Sequence, residues 1–143
     1  MPLDSLRSAA RRILGMIEDI LRACEPPIDP QHLADLRKRL ALAQSHFFAE
    51  QEQVLLVPLR GSGDPALAAI ARCCVERDLD IRRMGLVHYQ RWPLSKVVED
   101  PAAYRAGLQN ILRTMEGRVL YGEQTAYPAL TRLISTPQQS ADR

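Results

Sequence analysis

The stretch Gln44-Ser45-His46-Phe47-Phe48-Ala49-Glu50-Gln51-Glu52-Gln53-Val54-Leu55-Leu56-Val57-Pro58-Leu59 decides the fold. It reads as the second half of a long amphipathic helix. Counted from Leu33, an apolar seam runs Leu33, Leu36, Leu40, Ala43, Phe47, Glu50, Val54, Val57. Alternating steps of three and four keep these residues on one helix face. Glu50 then falls at a core position, with His46 one turn before it. A His and a carboxylate four residues apart on an inward face is how helical bundles present metal ligands.

Working outward, the remaining seams have the same period. Asp4 or Ser5 is placed to cap a first helix whose seam is Leu6, Ala10, Ile13, Ile17, Ile20, Cys24. Pro26-Pro27 stops it, since proline has no N–H to donate to the preceding turn. Asp29-Pro30, Asp64-Pro65 and Asp100-Pro101 each pair an N-cap with a proline at the first helical position. The third helix carries Leu67, Ile70, Cys74, Arg77, Ile81, Met84, His88 and ends before Trp92-Pro93. The connection from Leu94 to Asp100 is the longest and has a helical turn around Lys96 to Val98. The fourth helix reads Tyr104, Leu108, Ile111, Met115, Arg118, Gly122, Ala126, Leu130, Leu133.

No alternating β-branched run is present, so the fold class is all-α. Short connections between long helices favour antiparallel neighbours, which gives an up-down-up-down antiparallel four-helix bundle. Residues 1–136 form this single domain and 137–143 a flexible tail.

Composition sets the outer bounds. An apolar fraction of 46% and a charged fraction of 25% are those of an ordinary globular chain. A net charge of +2 without a basic arm argues against nucleic acid as a partner. Arg7, Arg11, Arg12, Glu18 and Asp19 interrupt the first helix, which is therefore neither a signal peptide nor a membrane span, so no membrane partner is expected. Cys24, Cys73 and Cys74 lack the spacing of a disulfide framework or a zinc site, and a reducing cytoplasm is the expected location. No phosphate loop, nucleophile elbow or acid–base pair occurs, so no enzyme is expected. His88 reads as a core-edge histidine and Met16, Met84 and Met115 as core filling.

The stretches HFFAEQEQVLLVPL and RVLYGEQTAYPALTRL resemble the second and fourth helices of the hemerythrin-like domain family. The resemblance implies a bundle in which every helix lends ligands to two irons. The ligand positions of this chain depart from that pattern. His46 and Glu50 fit the family's pair by spacing, whereas alignment on Pro58 substitutes Phe48 and Glu52. Arg118 and Gly122 fall where the fourth helix has its His and carboxylate, Arg77 replaces a His in the third helix, and Ala10 replaces one in the first. Arginine is permanently protonated and has no lone pair to offer a metal. His46 and Glu50 remain as residual metal candidates, and no cofactor is expected, iron being the alternative.

The expected substitute is a buried ionic cluster in which Arg77 and Arg118 meet Glu50, Glu52 or Glu123. The function this implies is a metal-free protein-interaction or regulatory module, whose partner is another protein or a second copy in a homodimer. The alternative is an oxygen, nitric oxide or redox sensor or carrier with an incomplete metal site.

Overall fold

A computed structural model of the chain describes residues 2–135. Every regular element among them is helical. Helix α1 spans Pro2–Ala23. Helix α2 covers 30–60, with α-helical Pro30–Gln51, a π-helical turn Glu52–Leu56 and a last turn Val57–Arg60. Helix α3 is Pro65–Arg91 and α4 is the short Leu94–Glu99. Helix α5 covers 101–135, with Pro101–Tyr121, a second π turn Gly122–Ala126 and Tyr127–Ser135. The tail assigned to 137–143 lies outside the described residues.

The Asp-Pro pairs act as the sequence implies. The Asp29 carboxylate accepts from the amides of Gln31 and His32, at 3.0 and 3.2 Å. Asp64 accepts from Ala66 at 2.9 Å and Asp100 from Ala103 at 3.2 Å. Each satisfies donors that a helix start leaves open. Two expectations change. Helix α1 begins at Pro2, whose fixed φ suits a first turn, so Asp4 lies inside the helix instead of capping it. The connection after Trp92 is a helix of six residues, not one turn.

The π turns have a common cause. Pro58 and Pro128 each follow one closely, and a proline ring collides with the carbonyl four residues before it in an α-helix. The wider turn closes with bonds one residue longer, as the Val57 amide does to Glu52 O and the Tyr127 amide to Gly122 O. Each turn therefore takes up one extra residue while its flanks stay in phase.

Helix α1 packs along both α2 and α5, and α3 packs along α5. His88 meets Tyr104 while Asp78 meets Arg118, so α3 and α5 run in opposite directions. Short α4 lies against α5 and α2. The α1 seam is buried throughout, from Leu6 to Cys24. In α2 the buried positions are Leu33, Phe47, Gln51, Leu55, Leu56 and Leu59. The expected seam of Glu50, Val54 and Val57 is thus displaced: Glu50 is half-buried and Val57 faces solvent. In α3, Ala71, Cys74, Asp78 and Ile81 point inward, and Arg77 is exposed.

Candidate functional site

Three polar residues are buried among the described residues: Gln51 (1% exposed), Asp78 (6%) and Arg118 (3%). They come from α2, α3 and α5 and form a closed ring. Arg118 donates from Nε to Asp78 Oδ1 at 2.7 Å. Gln51 donates from Nε2 to Asp78 Oδ2 at 2.7 Å. Arg118 donates from Nη2 to Gln51 Oε1 at 2.5 Å. Each carboxylate oxygen has a donor, and the amide is used at both ends. No polar side-chain atom of the three is left buried without a partner.

Burying a lone guanidinium or carboxylate costs several kcal/mol, so neither charge persists here without the other. Burial opposes the Arg118 cation, yet its pKa is raised, with the Asp78 carboxylate beside it the foremost of the groups that favour the charge. Gly122, one turn after Arg118, leaves room for it. A Cβ there would lie 3.2 Å from the Tyr127 ring and 3.4 Å from Arg118 Nη1. The glycine at a seam position is explained by this close approach.

The other residues expected in the cluster lie elsewhere. Arg77 is exposed, with its guanidinium 4.5 Å from the Tyr121 ring centroid and Nε donating to Cys73 Sγ at 3.4 Å. Glu52 is held at the edge by Arg60, two bonds of 2.8 Å spanning the π turn. Glu123 accepts from Arg7 Nε at 3.0 and 3.2 Å, tying α5 to α1. The Arg7 guanidinium also lies 5.2 Å from the Tyr127 ring centroid. Glu50 is half-buried and His46 exposed, both on the α1 side among Ser5, Ser8 and Arg12. Only Arg118 is therefore in the buried cluster, and its partners are Asp78 and Gln51. Neither was singled out from the sequence. Their signal is in the sequence: Cys74-Asp78-Ile81 and Phe47-Gln51-Leu55 obey helical spacing as well as the seams through Arg77 and Glu50 do.

The residues do not fit a di-iron centre. At the level of the triad they supply one carboxylate, one amide and a cation without a lone pair. Among the described residues, no group of three or more His, Cys, Asp or Glu is placed to hold a metal.

Two further features flank the triad. Cys74 is buried next to it, and desolvation pushes its thiol up to about 11. Cys73, half-buried, has its pKa lowered by a hydrogen bond with Tyr121 and by Arg77. At the α4 end, His88 stacks on Tyr104 with ring centroids 4.8 Å apart, and Nε2 lies 3.3 Å from Tyr104 O. Desolvation lowers the His88 pKa, and the nearby Arg37 and Arg91 add to this. Trp92 meets the Tyr104 ring edge-on at 5.8 Å.

No helix among the described residues is long and apolar enough to cross a membrane. The chain matches no family model, no curated protein and no solved structure.

Proposed function

We propose that this chain is a hemerythrin-like, up-down-up-down four-helix bundle that works without a metal. Its role is regulatory, exercised through contact with another protein or with a second copy of itself. The closed Gln51–Asp78–Arg118 ring is the observation that carries this reading. A cation with a satisfied carboxylate and amide occupies the level at which the resemblance puts metal ligands, and it offers no open coordination position. A ring that joins three helices at one height also fixes their axial register, a role best attested for buried polar groups.

Contact with a partner is supported by the outer face of α3. Leu86 and Val87 are 58% and 60% exposed and adjacent, with Leu79 (41% exposed) two turns before them. Apolar side chains grouped in this way mark partner surfaces more often than scattered ones do.

Element analysis and a visible spectrum of protein made in iron-supplemented medium test the metal-free reading. Substoichiometric iron and no oxo-bridge absorption are expected. Stoichiometric iron with that absorption overturns it and restores an oxygen, nitric oxide or redox sensor. Sedimentation of the purified chain over a range of concentrations, repeated with Val87→Glu, then separates a homodimer from a partner of different sequence.

A further inference from the structure

Helices α2 and α3 are joined through the turn at 61–64 and bridged by side chains from Gln51–Asp78 to Arg37–Tyr89. Between them lies a cleft of about 260 Å³. Its floor is aliphatic: Ile20, Leu40, Ile81, Leu108 and Ile111. Its rim carries two arginines from opposite helices. The Arg37 guanidinium lies 4.5 Å from the Tyr89 ring centroid and 5.8 Å from that of Tyr104. The Arg82 guanidinium lies 4.0 Å from the Phe48 ring centroid. Both cations are held against aromatic faces, and neither has a carboxylate within ion-pair distance among the described residues. Arg77 and Arg83 likewise have none among the described residues, so what distinguishes Arg37 and Arg82 is their place on the rim of an apolar cleft.

An apolar trough with fixed, anion-free guanidiniums at its mouth is complementary to one kind of small molecule. We infer that the α2–α3 cleft binds an aliphatic monocarboxylate, its chain along the floor and its carboxylate on one of the two rim arginines. Guanidinium is suited to this because its fork matches a carboxylate and its weak hydration lets it sit beside apolar groups. A cleft of about 260 Å³ has room for a short acyl chain, whose length a homologous series determines. Such an occupant goes beyond partner-protein contact, since it makes the module responsive to a metabolite class.

The test uses the whole chain and the sodium salts of hexanoic, octanoic, decanoic and dodecanoic acids. Trp92, the only tryptophan, is a built-in reporter, with its ring 6.4 Å from His88 and 5.8 Å from Tyr104, both of which line the cleft. Saturable fluorescence titrations are expected, tightening about fourfold per methylene and levelling off once the floor is covered. Decylammonium, of the same length and opposite charge, is expected to bind at least tenfold more weakly than decanoate, the loss about one ionic contact brings.

Arg37→Gln/Arg82→Gln should weaken decanoate at least tenfold and leave decanol unchanged, and the two single variants show which end takes the carboxylate. Gly85→Leu provides a second route. Gly85 lines the cleft and a Cβ there meets nothing within 4 Å, so a larger side chain takes up cleft space without disturbing the helix. It should abolish binding while the melting temperature holds or rises. Absence of saturation, equal affinity for decylammonium, or a double variant that binds decanoate unchanged would overturn the assignment. So would tighter occupation of the cleft by an acidic amphipathic peptide, which would assign it to a protein partner.

Discussion

Arg118 Nε lies 2.7 Å from Asp78 Oδ1, and the two side chains are 3% and 8% exposed. A charge pair this dry contributes little net stability over an apolar replacement, but it punishes the loss of one member.

Arg118→Met should therefore lower stability by about 3–5 kcal/mol, because Asp78 is left buried and unpaired. The triple change Arg118→Met/Asp78→Leu/Gln51→Leu should recover most of that loss. Arg77→Ala, at an exposed site, should cost less than about 1 kcal/mol despite its neighbouring position in sequence. Urea midpoints of the three proteins, read at a common slope, decide the matter. A larger loss for Arg77 than for Arg118 would mean that the inward face of α3 has been assigned wrongly.

Two glycines on α5 should respond in opposite senses. A Cβ at Gly107 would come within 2.7 Å of the His88 ring, which is already fixed between Tyr104 and its carbonyl. Gly107→Ala should destabilise by about 1–3 kcal/mol and shift Trp92 emission. Gly117 is exposed with nothing near its Cβ direction, so Gly117→Ala should stabilise by up to about 1 kcal/mol through helix propensity alone. Thermal melts of both variants against the parent are sufficient.

Acid should loosen the α4 end before the rest. The folded pKa of His88 lies below its ordinary value of 6.5, by desolvation first. Below that ordinary value the unfolded chain binds a proton that the folded chain resists, so unfolding stability rises with pH. The contribution of His88 is complete above 6.5 and is lost as pH falls through 6.5 toward the lower folded value. His88→Phe should flatten this part of the stability–pH curve. An unchanged slope in the variant would place the titration elsewhere.

The adjacent thiols should separate in reactivity. Attack proceeds through the thiolate, so access and pKa act together. Cys73 is half-buried with a lowered pKa, whereas Cys74 is buried with its thiol near 11 and Cys24 is buried with a raised pKa. Iodoacetamide at about pH 8 should label Cys73 first and leave the other two intact until the chain unfolds. Peptide mass spectrometry gives the order directly.

The four long helices, the three Asp-Pro caps and the α1 face were legible because each rests on local chemistry. Asp-Pro pairs specify helix starts without reference to the rest of the chain, and Leu6 to Ile20 offers one continuous apolar face. The inward polar residues were not legible for a geometric reason. After Phe47 or Cys74, the positions three and four residues on lie on either side of the seam, and both are polar: Glu50 or Gln51, Arg77 or Asp78. Choosing between them requires knowing where the neighbouring helices stand. The π turn compounded this in α2, because a seam counted at constant period runs through Val54 and Val57, whereas the extra residue brings Leu55, Leu56 and Leu59 inward.

The pairing of each wide turn with a proline six residues after its start has a historical consequence. A chain that lost one residue from 52–56 would re-close as ordinary helix with both flanks still facing their old neighbours, but Pro58 would then strike the carbonyl behind it. Residue and proline are useful only together. Descendants of a common ancestor should therefore gain or shed them as a unit, and single-residue length differences inside the long helices should collect at these two places.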